Sequence, residues 1–211
     1  MKRVLCFGDS NTWGYNPDQP GTRYESNTRW TGILASELGN EYQVIEEGLN
    51  GRTAIWDDPF GEHKNGKDYL IPCLETHREF DLIILMLGTN DLKAYFKLSA
   101  ASIAQGVGVL IDIILKSPVG VGGNPPKVLL IAPPPTGKLT ELDGMFEAAF
   151  EKSKKFERYY KELSVATNCH FINAGEIVKS SDLDGIHWEP VEHKKFAEVL
   201  IKKIPGILSM I

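Results

Sequence analysis

The sequence predicts an α/β protein in which a parallel β-sheet is packed between two layers of helices. Short runs rich in Val, Ile and Leu alternate along the chain with longer amphipathic stretches, and strands buried on both faces of a parallel sheet have this nearly continuous apolar character. Such a series of strand-then-helix units predicts a doubly wound, three-layer domain with a five-stranded parallel sheet and right-handed crossovers. The predicted strands cover residues 4–7, 42–45, 82–87, 128–132 and 170–172.

Helical periodicity places amphipathic helices between and after these strands. Ser99 is a natural N-cap for the third helix, and Pro190 suits the first turn of the last one, because the N–H that proline lacks has no partner there. Residues 13–28, 53–68 and 117–126 form long connections, and loops of this size usually carry binding or assembly surfaces. The predicted helices cover residues 29–38, 69–76, 101–116, 146–167 and 191–203.

The composition is that of a globular domain rather than of a protein that binds polyanions. Hydrophobic residues make up 42% and charged residues 24% of the 211 residues, which allows a sizeable core. The chain has neither an internal repeat nor a long Pro/Gly linker, so we expect a single domain over residues 1–211. The net charge of -5 argues against nucleic acid and anionic membranes as partners, since both require clustered Lys and Arg.

Cysteine usage and the first residues predict a cytoplasmic protein. Cys6, Cys73 and Cys169 are too few and too scattered to indicate a disulfide framework. The first apolar run is shorter than the roughly 7–15 residues of a signal-peptide core, and no apolar stretch approaches the length of a transmembrane helix.

In an open parallel sheet, ligands bind outside the carboxyl ends of the strands, so the residues after each apolar run are the candidates for chemistry. Ser10 follows the first run within Gly8-Asp9-Ser10-Asn11, where its Oγ could be presented at the sheet edge or could cap a helix. Gly51 follows the second run, in a turn whose N–H groups could approach a ligand or form an ordinary tight turn.

A polar cluster, Thr89-Asn90-Asp91, follows the apolar third run. Asn90 can offer a neutral N–H donor where a negative oxygen develops, whereas Asp91 is expected to cap the following helical turn. Asp9, Asp91 and Asp184 could offer carboxylates to a cation, but their spacing matches no familiar site. We therefore expect no metal.

An acid and a histidine three residues apart, Asp184 and His187, precede the last predicted helix. From a turn, the carboxylate can reach the imidazole Nδ1 and fix its tautomer, although such a pair can equally be structural. His193 is the rival base, and we interpret it as a surface residue because it lies inside a helix between charged neighbours. No chemistry is assigned to His63 in a charged loop, His77 at a helix end and His170 at a strand start.

Together these blocks resemble those of the SGNH (GDSL) hydrolase family, in order and at the predicted strand ends. The matching blocks are Gly8-Asp9-Ser10 for the nucleophile, Gly51 for the glycine, Gly88-x-Asn90-Asp91 for the asparagine and Asp184-x-x-His187 for the acid and histidine. The sequence is also similar to the arylesterase/acyltransferase branch, which includes perhydrolases, over nearly its whole length. That similarity is carried by Arg29-Trp30-Thr31, Glu46-Glu47-Gly48-Leu49, Arg52-Thr53, Met86-Leu87-Gly88-Thr89-Asn90-Asp91, Lys93-Ala94-Tyr95-Phe96 and Asp184-Gly185-Ile186-His187.

The resemblance implies a flavodoxin-like SGNH fold and a serine esterase, with no cofactor expected. In the family pattern Ser10 attacks the ester carbonyl, His187 is the general base and Asp184 orients the histidine. The N–H groups of Ser10 and Gly51 and the side chain of Asn90 would form the oxyanion hole. Small esters are the expected substrates, because the sequence has no lid-sized apolar insertion. Water attacking the acyl-serine gives hydrolysis, and an alcohol gives acyl transfer.

Alternatives remain open at this point. One is a carbohydrate acetylesterase of the same superfamily, and another is a non-catalytic flavodoxin-like binding module. Asn11 stands where the name-giving motif has Leu, a departure that could alter the floor of the site. Trp13 and Trp188 directly follow two of the blocks and could line the pocket or pack in the core.

The loop of residues 53–68 is a candidate for subunit contact. It places Trp56 and Phe60 among charged residues near Gly51, and exposed aromatic rings would be unusual on a monomer. The similar acyltransferases form closed oligomers, so the resemblance predicts a symmetric homo-oligomer with this loop at the contact. The alternative is a loop that folds onto its own domain.

Overall fold

The computed structural model describes residues 1–209, which form a five-stranded sheet flanked by helices. The strands are β1 (Lys2–Gly8), β2 (Tyr42–Gly48), β3 (Leu82–Met86), β4 (Lys127–Ala132) and β5 (His170–Asn173). Their order in the sheet is β2-β1-β3-β4-β5, and every neighbouring pair is parallel. The predicted α/β class and five-stranded parallel sheet are therefore confirmed.

Helices follow the strands near the predicted positions. They are α1 (Ser10–Trp13), α2 (Trp30–Leu38), α3 (Gly66–His77), α4 (Ala100–Lys116), α5 (Ala149–Ser153), α6 (Phe156–Thr167) and α7 (Pro190–Ser209). Ser99 caps α4 as predicted, since its side chain accepts the N–H of Ser102. The start of α3 lies before the predicted residue 69, because the Asn65 side chain accepts the N–H of Lys67 and begins the helix there.

The prediction of one continuous helix over residues 146–167 is wrong. Ala148 has a left-handed φ of 60°, a conformation that a right-handed helix cannot pass through. A second break separates α5 from α6. There, Ser153 Oγ donates to the carbonyl of Phe150 and accepts the N–H of Thr136, and local side-chain bonds of this kind compete with the helical ladder.

The helices cover both faces of the sheet and bury two hydrophobic clusters. Helices α3, α4 and α6 contribute to the first cluster, and α2 and α7 contribute to the second. Along β1, Leu5 and Phe7 belong to the first cluster, while Val4 and Cys6 belong to the second, as the alternation of side chains along a strand requires. Burial on both faces explains why the strands are apolar throughout.

The strand order reverses at β1, because β2 lies on one side of it and β3 on the other. Loops that leave neighbouring strands diverge at such a switch point and open a crevice outside the carboxyl ends. Ser10 lies in α1, two residues beyond the end of β1, and Asn90 follows β3 by a few residues. The fold therefore brings these two sequence-distant residues to one crevice.

The loop of residues 53–68 packs partly onto its own domain. Trp56 is half-buried against the first cluster, and a Cβ at Gly106 of α4 would lie 2.4 Å from the Trp56 ring, so glycine permits the contact. For Trp56, the alternative in which the loop folds onto its own domain is therefore observed. Phe60 remains 82% exposed. None of the helices in residues 1–209 combines the length and apolarity needed to cross a bilayer.

Candidate active site

Ser10 is the first residue of α1, and only Asp9 separates it from the buried strand β1. The side chain of Asp9, not that of Ser10, caps this short helix by accepting the N–H of Asn11 at 3.0 Å. The alternative in which Ser10 serves as a helix cap is therefore not observed. Ser10 is only 5% exposed, and its Oγ lies 2.9 Å from Nε2 of His187.

Asp184 and His187 form the second half of this hydrogen-bond chain. Oδ2 of Asp184 lies 2.6 Å from Nδ1 of His187, and Oδ1 accepts the N–H groups of Ile186 and His187 at 2.8 and 2.9 Å. Burial raises the pKa of Asp184, but the hydrogen bond and charge of His187 and the two backbone donors outweigh it and leave the pKa below its usual value. The carboxylate is thus held charged against the imidazole.

Asn11 secures the turn that carries His187. Its Nδ2 donates to the carbonyl of Ile186 at 3.2 Å, and its Oδ1 accepts the N–H of Trp188 at 3.1 Å. Both bonds cross from α1 to the residues that flank the histidine. The departure from Leu at this position therefore acts on the placement of His187, and Asn11 does not line the cleft described next.

Ser10, Gly51, Asn90 and His187 all line one cleft of about 610 Å³. Gly51 has a φ of 80°, which a residue with a side chain adopts only with strain. Nδ2 of Asn90 donates to the carbonyl of Arg52 at 3.1 Å, which fixes the amide beside the Gly51 turn. The arrangement places N–H donors on the same cleft as a serine that has a histidine partner.

Arg52 belongs to one of the blocks that carry the resemblance, but the sequence assigned it no role at this site. It is 3% exposed, and Nη1 donates to the carbonyls of Gly8 at 2.9 Å and of Glu47. Its guanidinium carbon lies 4.2 Å from the ring centroid of Phe7. The side chain thereby ties the Gly51 turn to the ends of β1 and β2. A lone arginine after a turn gives no sequence signal for such burial.

The prediction that Asp91 caps a helical turn is wrong. Its Oδ1 instead accepts the N–H of Ala54 at 2.8 Å, which joins the end of β3 to the loop that follows Gly51. Burial raises the pKa of Asp91 to about 7 and that of Asp9 to about 6. Within residues 1–209, Asp9, Asp91 and Asp184 are not gathered into a cluster of metal ligands.

Tyr15 is a second residue that sequence reasoning missed. Its ring stacks on the imidazole of His187, with centroids 4.1 Å apart and planes 28° from parallel. The Tyr15 hydroxyl accepts the N–H of Gly21 at 3.2 Å, which holds the ring in place. An aromatic face at this distance can stabilise a positive charge on the imidazole.

The interpretation of His193 as a surface residue is wrong. His193 is 0% exposed, and its neighbour Glu192 is also buried, because α7 packs against α2. Nδ1 of His193 accepts the backbone N–H of Trp30 at 3.3 Å. Trp188 is fully buried in the second hydrophobic cluster. Neither Trp188 nor Trp13 lines the cleft.

Sheet topology and the Ser-His-Asp hydrogen-bond chain at its switch point are those of a serine hydrolase on a doubly wound α/β fold. The chain belongs to the GDSL-like lipase/acylhydrolase family, which matches residues 6–191. It is a carboxylic ester hydrolase of this GDSL/SGNH type.

Solved structures support the same assignment. The carbohydrate acetylesterase Est24 from Sinorhizobium meliloti has 40% sequence identity and a TM-score of 0.93, over 98% of this chain and 100% of that one. The native aryl esterase of M. smegmatis has the same identity, TM-score and coverage. A carbohydrate acetylesterase family member from Sinorhizobium meliloti is 31% identical with a TM-score of 0.93, and both chains are covered completely. Comparison with curated proteins found no match.

Proposed function

We propose that Ser10, His187 and Asp184 are the catalytic triad with which this chain hydrolyses small carboxylic esters. The observation that carries the proposal is the continuous hydrogen-bond chain from Ser10 Oγ through His187 to Asp184, with links of 2.9 and 2.6 Å. A serine hydroxyl is a weak nucleophile unless an adjacent base removes its proton. The carboxylate fixes the tautomer in which Nε2 of His187 is free to accept it.

The reaction proceeds in two acyl transfers. Ser10 Oγ attacks the ester carbonyl while His187 accepts the serine proton, and the tetrahedral intermediate collapses when His187 returns that proton to the departing alkoxide. The alcohol leaves and an acyl-serine remains. Water then attacks the acyl-serine, again with His187 as base, and the free acid is released.

The oxyanion of both tetrahedral intermediates is assigned to the backbone N–H groups of Ser10 and Gly51 and to Nδ2 of Asn90. Their presence on one cleft with His187 supports this assignment. Donors fixed in advance at the position where charge develops supply several kcal/mol of transition-state stabilisation, about 2.7–4 kcal/mol for one donor. The bond from Asn90 to the Arg52 carbonyl provides such fixation.

Aryl or short-chain acyl esters fit the cleft. The residues that line it include the apolar side chains Leu142, Met145 and Phe146 as well as Tyr15 and Pro17. An apolar lining of this kind suits an aromatic or short aliphatic group, and the 40% identical aryl esterase supports that class.

A carbohydrate acetylesterase is the second candidate, because the same cleft also has polar lining residues. Asp18, Lys93 and Glu141 lie among them, and hydroxyl-rich alcohols require donors and acceptors of this kind. A comparison of kcat/KM for a phenyl acetate and for an acetylated sugar would rank the two substrate classes.

Covalent labelling tests the triad directly. We expect a fluorophosphonate to modify Ser10 and only this serine in the wild-type protein, with stoichiometric loss of esterase activity. Ser10→Ala should abolish labelling and lower kcat on a short aryl ester by about 10³-fold or more. Ser102→Ala, at a partly exposed serine of α4, is the matched control. Full activity of Ser10→Ala would refute the assignment.

Asn90→Ala tests the oxyanion hole. We expect kcat to fall by about 10²–10³-fold with little change in KM, because the donor acts mainly on developed charge. The control is Asn124→Ala, which removes an amide that donates to a carbonyl in a distant loop. A change in KM alone would mean that Asn90 binds only the ground state.

We further propose that this chain transfers acyl groups to alcohols and that assembly into a homo-oligomer promotes this reaction. Phe60 is exposed on a loop that Asp58 fastens to the cleft, because Asp58 accepts from Lys93 Nζ at 2.6 Å and from the Tyr95 hydroxyl. A homo-oligomer that buries Phe60 would narrow and dry the mouth of the cleft. A drier site favours attack on the acyl-serine by an alcohol over attack by water.

Light scattering combined with product analysis tests both parts. We expect a wild-type oligomer that converts an ester plus excess alcohol into new ester in aqueous buffer, whereas Phe60→Ser should shift the mass downward and the products toward free acid. Val165→Ser removes an equally exposed apolar side chain of α6 and should change neither. A wild-type monomer that yields only acid would reject both parts, and a monomer that transfers acyl groups would reject the structural cause.

A cytoplasmic location is also proposed. Its support is the state of the three cysteines, all of which are free thiols, with Cys6 and Cys73 buried, as in proteins of reducing compartments. Cell fractionation with an activity assay would test it, and activity confined to an oxidising compartment would contradict it.

A further inference from the structure

A second group of chemically reactive side chains lies between the end of β2 and α3. Glu47 belongs to β2, and Cys73 and His77 lie one helical turn apart on α3. Their ligand atoms, a carboxylate oxygen, a thiol sulfur and an imidazole nitrogen, all lie within 4.8 Å of one another. None of the three lines the cleft that contains Ser10.

We propose that Glu47, Cys73 and His77 bind Zn²⁺, with the fourth coordination position open. Residues four apart on a helix share a face, so Cys73 and His77 present their side chains together to Glu47. Sulfur, nitrogen and carboxylate oxygen are the ligands that tetrahedral Zn²⁺ takes, at about 2.0–2.3 Å. A thiolate ligand favours Zn²⁺ over Mg²⁺ and Ca²⁺, which prefer oxygen.

The ligands are already partly organised for an ion. Oε1 of Glu47 lies 2.9 Å from Nε2 of His77, so carboxylate and imidazole converge before anything binds. The side chains of His77 and Glu47 are 32% and 17% exposed, while Cys73 is buried. Small side-chain rotations would close the three ligand atoms around an ion that enters from the solvent side.

A cavity and a balance of charge complete the site. Glu47, but neither Cys73 nor His77, lines a separate cavity of about 440 Å³ together with His63 and Asp68, so this cavity would let an ion approach from the carboxylate side of the site. Arg52 also lines this cavity and its positive charge opposes a cation. Burial, followed by the charge of Glu47, raises the pKa of the Cys73 thiol to about 12, so Cys73 would lose its proton only as the ion binds. The resulting thiolate and the Glu47 carboxylate would then neutralise the charge of Zn²⁺.

The ion would act on stability rather than on the chemical step. The Glu47 carbonyl accepts from Arg52, and the Arg52 carbonyl accepts from Asn90, so a bound ion would hold the strand end that precedes the Gly51 turn. Because the ion binds only the folded arrangement, it raises the temperature of unfolding by mass action.

Cobalt substitution tests the site. We expect chelator-treated protein to bind one Co²⁺ with intense tetrahedral visible bands and a sulfur-to-cobalt charge-transfer band, and Zn²⁺ to displace it. Cys73→Ser should remove the sulfur band, and His77→Gln should lower Zn²⁺ affinity by at least about 10-fold. Cys169→Ser and His170→Gln, at partly buried residues elsewhere, are the matched controls and should bind as the wild type does.

The following results would overturn the proposal. No sulfur band in the wild type, or a band that persists in Cys73→Ser, excludes Cys73 as a ligand. Should Cys73→Ser fail to fold, His77→Gln decides, since it changes a partly exposed side chain, and wild-type Zn²⁺ affinity in that variant refutes the site. Ser10→Ala should bind the ion normally, which keeps this test independent of the esterase mechanism.

Discussion

Two histidines at the start of α7 and in the turn before it occupy opposite environments. His187 faces the cleft, with Asp184 at 2.6 Å on one ring nitrogen and Ser10 at 2.9 Å on the other. His193 is fully buried, and burial, followed by the charge of His187, lowers its pKa to about 3. The comparison teaches that an imidazole with an acid on one ring nitrogen and a hydroxyl on the other is placed to act as a general base, the role proposed for His187.

His193 contacts aromatic rings and a backbone N–H group in the interior of the domain. The ring of His193 lies 5.5 Å from those of Trp188 and Tyr24, and its Nδ1 accepts the N–H of Trp30. It is a neutral packing residue that joins α7 to the start of α2. We therefore expect substitutions at the two histidines to separate activity from stability.

The largest difference in kcat is expected between the variants that remove the imidazole of His187 and that of His193. His187→Ala should lower kcat on a short aryl ester by about 10³-fold or more, because Ser10 loses its base. His193→Asn keeps an acceptor for the Trp30 N–H and should leave kcat within about twofold, because the ring does not touch the cleft. Steady-state kinetics on folded protein measures both. Equal losses in the two variants would break the comparison.

Loss of the acid should have the next largest effect. Asp184→Asn can still accept the two backbone N–H groups, but its amide would present a donor to Nδ1 of His187 and favour the wrong tautomer. We expect kcat to fall by roughly 10²–10³-fold with little change in KM. Asp182→Asn, at an exposed neighbour, should retain full activity. Wild-type kcat in Asp184→Asn would show that the carboxylate does not orient the base.

The stacked ring of Tyr15 should have a smaller effect. In the proposed mechanism the imidazole of His187 becomes a cation in the transition state, and an aromatic face stabilises such a charge by about 0.5–1 kcal/mol. Tyr15→Leu should therefore lower kcat about 2–5-fold, whereas Tyr15→Phe keeps the ring and should keep kcat. A loss of the same size in Tyr15→Phe would assign the effect to the hydroxyl bond with Gly21.

Much of the fold and of the candidate site could be predicted from the sequence, because those features are local. Apolar runs identify the strands, and the polar residues just after them, such as Ser10 and Asn90, are adjacent to their strand in the chain. The role of Arg52 depends on Gly8, and that of Tyr15 depends on His187. These roles could not be predicted, since each partner lies far away in the sequence.

The interpretation of His193 failed for a related physical reason. Its charged neighbours, Glu192 and Lys194, indicate a solvated helix face. However, Glu192 is itself buried, where it accepts the N–H of Lys179 and pairs with Lys195. These partners allow a charged residue to be buried beside His193. The charges on either side of His193 therefore did not indicate a solvent-exposed helix face.

His193 should have the smallest effect on activity, but it should make the free energy of unfolding depend on pH. With a folded pKa of about 3, His193 stays neutral in the folded protein while the unfolded chain binds a proton below about pH 6.5. The unfolded state thus holds more protons between these values. The contribution of His193 to the free energy of unfolding falls by up to about 1.4 kcal/mol for each pH unit on acidification.

Asp9 and Asp91 act in the opposite direction and would mask this slope in the wild type alone. Burial raises their pKa values to about 6 and about 7, so the folded protein holds the extra protons and their contribution falls as pH rises. The difference in unfolding free energy between wild type and His193→Asn cancels both carboxyl groups. We expect the wild-type advantage to shrink from pH 6.5 toward pH 4.5 in chemical denaturation. A wild-type advantage that stays constant over this range would mean that His193 titrates alike in both states, and the comparison of the two histidines would then rest on hydrogen-bond partners alone.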